Sequence, residues 1–226
     1  MNAVDKPPLA GLRRFSMAQL LIALALLLFS LPFVDDLESG ELIVSVLFSL
    51  VLLAAVLAVA NRRSTLLIAL ILAIPAVVGR WINLIHPNVL SAMIFLVAGI
   101  ALVIFVIMNL LRFVLGAPSV DEEVLCASIS AYLMLGLTWT MAYWLVDQVD
   151  PTAFNISSPT GSKQTMGGFN AFYFSFITLS TVGYGDITPV AKVARMLAAV
   201  EATTGLLYVA VLIGRLVGLY SNGKSE

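Results

Sequence analysis

The chain has 226 residues, of which 61% are hydrophobic and only 11% charged, with a formal net charge of −1. Soluble domains carry roughly 45–50% apolar and about 25% charged residues, so a single water-soluble core is excluded and the bilayer is the expected solvent. The small net charge excludes a broad nucleic-acid surface, and the single cysteine, Cys126, excludes an internal disulfide framework and cysteine-based metal sites.

A spanning helix needs about 20 mostly apolar residues. Phe15–Val34 meets that length without a Lys, Arg, Asp or Glu. No small-x-small cleavage site follows it, so it reads as an anchor helix rather than a removed leader. Leu42–Ala60 is the second span. Ser64–Gly79 is shorter, extendable through Trp81 to Ile85, and Pro75 predicts a kink within it. Val89–Leu111 and Val124–Val146 are again free of charge, and Cys126 in the latter is expected to be a buried, inert thiol.

From Asp147 to Gly167 the chain is polar and rich in Ser, Thr, Gly and Pro, which predicts a loop. Gly168–Ser180, "GFNAFYFSFITLS", is apolar and aromatic but has 13 residues, too few to cross a bilayer as a helix. It fits a re-entrant segment. The sixth span is expected over Val190–Leu219, with Lys192, Arg195, Glu201 and Arg215 near its ends and along it.

Charge placement orients these spans. With a cytoplasmic N-terminus, inside segments hold Lys6, Arg13, Arg14, Arg62, Arg63, Arg112, Arg215 and Lys224, while outside segments hold Arg80, Lys163, Lys192 and Arg195. That imbalance follows the positive-inside rule. Both termini are therefore expected in the cytoplasm of a multi-pass cell-membrane protein, with the re-entrant segment dipping in from outside. The tails, 1–14 and 221–226, are expected to be too short for a cytoplasmic sensing domain.

"TLSTVGYGDITP", Thr178–Pro189, lies where lipid should be, yet its Gly-x-Gly cannot make a good helix. Non-helical backbone survives at membrane depth only when protein encloses it or it lines a watery path. Glycines at 183 and 185 permit alternating dihedrals that turn successive carbonyls the same way, and such carbonyls can replace the water around a cation. The Thr181 hydroxyl adds one more oxygen. Val182 and Tyr184 are expected to point back into protein. One chain supplies one such strand, so a closed ring needs several copies about an axis. The C-terminal end of the short helix, near Ser180, favours a cation through its partial negative charge, and Asp186 adds anionic character at the outer edge.

"TLSTVGYGD" resembles the potassium-channel signature Thr-x-x-Thr-x-Gly-Tyr-Gly, matching at Thr178, Thr181, Gly183, Tyr184 and Gly185. The carbonyl mechanism above is the one known for that signature. The resemblance covers roughly Val124 to Tyr220. It implies an all-α membrane protein in which residues 124–220 form a pore domain of outer helix, pore helix 168–180, filter 181–186 and inner helix. It further implies a homotetramer with K+ sites at the carbonyls of Thr181, Val182, Gly183 and Tyr184, with Gly185 completing the strand. No cofactor is implied beyond the permeant ions, and no enzyme chemistry. Gly205, 19 residues after Asp186, stands where the family's inner helix commonly carries a hinge, though it could instead admit a neighbouring helix closely.

Six spans ending in a pore resemble the voltage-gated cation channel superfamily, whose fourth span carries regularly spaced arginines. Residues 15–112 resemble that four-helix domain without its gating charges: Val89–Leu111 has no basic residue before Arg112. A charge crossing the full field is worth about 2.3 kcal/mol per 100 mV, so weak or absent voltage dependence is expected. Arg62 and Arg63 read as topology anchors, and Arg215 as a snorkelling anchor or a pore-mouth residue. Glu201 is expected to support the filter, by hydrogen bonding behind it or by pairing with Arg195. Tyr173 could brace the filter by bonding Asp186, or simply pack. His86 reads as a solvated loop residue, and Gly214 with Gly218 as a weak hint of close packing. Membrane lipid and a separate regulatory subunit are the remaining expected partners. The competing readings are a potassium transporter subunit and a non-conducting regulatory protein of the same fold.

Overall fold

The computed structural model describes residues 9–34, 37, 39–60, 63–157 and 165–222. The helices are α1 (Leu9–Val34), α2 (Gly40–Val59), α3 (Arg63–Ile85), α4 (Val89–Gly116), α5 (Glu122–Val149), α6 (Gly168–Leu179) and α7 (Lys192–Asn222). All but α6 contain a stretch long and apolar enough to cross a membrane. The protein is a multi-pass, all-α membrane protein. Lys6, Arg62, Lys163 and Lys224, used above to orient the chain, lie outside the described residues.

The boundaries follow local chemistry. Asn88 caps α4 by accepting from the Ser91 N–H at 2.7 Å, and Asp121 caps α5 by accepting from Val124 at 2.9 Å. α3 runs on past Gly79 to Ile85 although Pro75 sits inside it. Arg80, assigned to an outside segment from sequence, is therefore a helix residue, and it is buried. Its guanidinium faces the rings of Phe95 on α4 and Trp144 on α5, 5.6 and 5.7 Å from their centroids. An arginine whose charge spreads over a plane tolerates such a stacked, partly desolvated position. Cys126 is half-buried rather than enclosed.

The first four helices pack in sequence order, and α1 and α4 both lean on α5 of the same chain. Leu20, Leu24, Leu52, Leu102, Leu110 and Met134 fill the shared core. The connection from α4 to α5 is short, Ala117 to Asp121. Arg215 reaches from α7 back to this corner: its Nη2 donates to the carbonyls of Leu115 and Ala117 at 3.0 and 2.8 Å. It satisfies backbone acceptors at the end of α4, a role the sequence reading did not assign.

The 147–167 segment holds a short strand, β1 (Phe154–Ile156), which pairs antiparallel with β2 (Ile187–Pro189) just past the Gly-x-Gly stretch. Sequence alone suggested only a loop here. The pairing is extended by Ser157 N–H to the Asp186 carbonyl (2.9 Å) and Val190 N–H to Ala153 (2.8 Å). Behind it, Tyr143, Phe154 and Phe174 meet edge to face.

α7 differs from the other spans. Met196, Leu206, Leu207, Val211, Ile213 and Val217 are all exposed, on the broad face of the helix opposite buried Ala194, Glu201 and Gly205. A Cβ added at Gly214 or Gly218 would meet open space, so neither admits a neighbour within the chain.

Candidate ion-conduction site

α6 is a 12-residue aromatic helix, ending at Leu179 with Ser180 as its C-cap. Its carbonyl ends hold the next segment. The Thr181 N–H donates to Thr178 O (2.9 Å), and the N–H groups of Val182 and Gly183 both donate to Ile177 O (2.8 and 3.2 Å). Ser180 Oγ turns back to Phe176 O at 2.6 Å. The chain leaves the helix with its donors used.

The following residues take an alternating backbone. Thr181 has φ of +61°, Gly183 +55° and Gly185 +84°, with ordinary residues between. In an extended strand successive carbonyls point to opposite sides; turning every second residue over brings them to one side. Gly183 and Gly185 were legible as the residues that permit this. Thr181 was not: a β-branched residue in the left-handed region is a genuine outlier and costs of order 1–3 kcal/mol. Among the described residues, no backbone N–H donates to the carbonyls of Thr181, Val182, Gly183, Tyr184 or Gly185. The stretch is exposed in the single chain, so these unpaired oxygens are open to a ligand or to further copies of the chain.

The side chains of Val182 and Tyr184 are 52% and 74% exposed. They were expected to point back into protein, and one chain alone leaves both largely uncovered. At the outer end, the Tyr173 hydroxyl donates to Asp186 Oδ2 at 2.7 Å, while Asp186 Oδ1 accepts from the Ile187 N–H at 3.1 Å. The carboxylate is thus fixed beside the end of the segment. Thr178 lies half-buried on the last turn of α6.

Glu201 is fully buried. The Tyr143 hydroxyl of α5 donates to its Oε2, and Ser175 Oγ of α6 lies 2.6 Å from its Oε1. Arg195 does not reach it; its Nε donates to Pro189 O at 3.1 Å. The Glu201–Arg195 pairing considered from sequence is therefore replaced by contacts to α5 and α6. Tyr143 and Ser175 were missed because they lie 58 and 26 residues from Glu201, with no local spacing to betray them. The available signal was general: a lone acid within a span must find donors somewhere.

Gly205 sits in an uninterrupted α7. A Cβ there would lie 2.1 Å from Leu179 O and 2.9 Å from Leu179 Cδ1, so α7 touches the end of α6 through this glycine. That close approach is a sufficient reason for its lack of a side chain.

Residues 131–222, from within α5 to the end of α7, match the ion channel family. Protein LctB of Bacillus caldotenax is 34% identical over 87 residues, 38% of this chain and 64% of LctB. Two-pore potassium channel 4 of Arabidopsis thaliana is 46% identical over 48 residues, 21% of this chain and 17% of the plant protein. A putative potassium channel protein of Rhodopseudomonas palustris is 31% identical over 74 residues, 32% of this chain and 18% of that protein. The chain thus spans about a fifth of the length of the potassium channels it matches. Over residues 131–222 the chain is similar to the ion channel family, and its relatives include proteins named as potassium channels.

Proposed function

We propose that this chain is one subunit of a homotetrameric potassium channel in the cell membrane, conducting K+ passively along its fourfold axis. The filter is Thr181–Gly185, with ions held by the carbonyls of Thr181, Val182, Gly183 and Tyr184 and by the Thr181 hydroxyl. Residues 124–220 are the pore domain and 15–112 a peripheral four-helix domain without gating charges. Both termini face the cytoplasm.

The observation that carries this reading is the row of free carbonyls with left-handed dihedrals at 181, 183 and 185. An unpaired backbone oxygen at membrane depth costs several kcal/mol, and a dehydrated cation is the partner that removes the cost for all of them together. Two further features fit a multimer. Val182 and Tyr184 are apolar or amphipathic and largely uncovered in one chain, and α7 leaves a broad apolar face uncovered, as expected of a helix that meets other helices and lipid.

The test is flux from reconstituted proteoliposomes. We expect potassium current that runs down its gradient, needs neither ATP nor a sodium gradient, and is blocked by barium. Gly183→Ala is expected to abolish it, because alanine at a φ of +55° costs about 1–2 kcal/mol in each chain. Flux that requires ATP or sodium would favour a transporter, and a silent tetramer a regulatory protein.

A further inference from the structure

We propose that Glu201 keeps its proton in the working protein and acts as a positioning residue, joining α5, α6 and α7 behind the filter through three consecutive hydrogen bonds. Only the consequence for ion passage rests on the channel reading; the protonation itself follows from counting protons.

Three oxygen-to-oxygen contacts run in a line. Tyr143 OH meets Glu201 Oε2, Glu201 Oε1 meets Ser175 Oγ at 2.6 Å, and Ser175 Oγ meets the Gly136 carbonyl at 2.8 Å. A carbonyl only accepts, and a serine or tyrosine hydroxyl has one proton to give. An ionised Glu201 would leave two protons for three contacts. Ser175 would then face one of its two neighbours lone pair to lone pair at hydrogen-bond distance. With the carboxyl proton in place the count closes: Tyr143 donates to Glu201, Glu201 to Ser175, and Ser175 to Gly136.

The surroundings agree. Glu201 is fully buried, and among the described residues no cation is in ion-pair contact with it. A buried carboxylate without a counter-charge is far more costly than the neutral acid. The titratable groups facing it are Tyr143 and Tyr132, both of α5. From α6 only the Ser175 hydroxyl reaches it, since Tyr173 is committed to Asp186, and from α7 the nearest cation, Arg195, is committed to Pro189 O.

The location gives the run its purpose. Ser175 stands two residues before Ile177, whose carbonyl holds the N–H groups of Val182 and Gly183. Gly136 allows α5 close to α6: a Cβ there would lie 2.6 Å from the Phe176 ring. Removing the proton would set like charge density at the α6–α7 contact and release α6 from its place beside the filter.

Infrared spectra of the full-length protein in lipid at neutral pH test the assignment directly. We expect a protonated-carboxyl band that disappears in Glu201→Gln and shifts in Ser175→Ala and Tyr143→Phe. In flux, Glu201→Gln, which keeps a donor and an acceptor, should stay within about twofold of wild type and lose the wild-type decline at alkaline pH. Glu201→Ala should lose about tenfold or more at every pH, the equivalent of about 1.4 kcal/mol. Spectra of wild type and Glu201→Gln that match in the carboxyl region would overturn the proposal, as would a glutamine variant as impaired as the alanine one. A clear band in a protein that passes no potassium would leave the proton assigned and refute the channel reading instead.

Discussion

Replacing Gly205 with alanine puts a methyl group 2.1 Å from the Leu179 carbonyl oxygen. Real Cβ contacts essentially never fall below 3.0 Å, so about 0.9 Å of movement is required, and the nearest obstacle is backbone rather than a side chain that can rotate. Overpacking of this kind costs typically about 1–3 kcal/mol, against which alanine's better helix propensity returns about 1 kcal/mol. Gly214 provides the control. It lies in the same helix with open space around it, so Gly214→Ala should gain the propensity term alone. We expect thermal unfolding in detergent to rank Gly214→Ala above wild type and Gly205→Ala at or below it. Potassium flux should fall in Gly205→Ala only, because the end of α6 carries the Ile177 carbonyl that holds Val182 and Gly183. Gly205→Ala matching Gly214→Ala in both stability and flux would refute the reasoning.

Tyr173→Phe removes the hydroxyl that holds Asp186 Oδ2. Because the pair is solvent-exposed, stability should change by less than about 1 kcal/mol, while flux run-down under sustained gradients should accelerate if the outer end loosens. Arg215→Ala strips the donor from the carbonyls of Leu115 and Ala117 and should lower thermal stability by about 1–3 kcal/mol with selectivity unchanged in bi-ionic potentials. Val89–Leu111 contains no basic residue, so the conductance–voltage relation should be shallow; a slope requiring several charges per subunit would contradict this.

Spans were legible because lipid imposes length and apolarity on each segment independently, and α2 and α4 begin within two residues of their expected starts. The end of α3 was legible too: the extension through Trp81 to Ile85 allowed from sequence is part of one helix, with Pro75 inside it. Gly183 and Gly185 advertised their dihedrals by lacking a Cβ, whereas Thr181 adopts the same region with nothing in its identity to say so. The β1–β2 pairing was hidden because each strand has three residues, too few for an alternation to register. Glu201 stood out as an acid in a span, yet its partners come from helices far away in sequence, and only folding brings Tyr143 and Ser175 to it.

The short β1–β2 pairing has a consequence for how change at a distance reaches the proposed filter. Residues 181–186 are fastened at one end to Ile177 and at the other to the β1 stretch that follows α5. A substitution at Phe154 or Ile156 would therefore tug on the second fastening and alter ion passage from outside the lining. On the proposed function, variation around residue 155 offers a way to tune conduction while residues 181–185 stay the same.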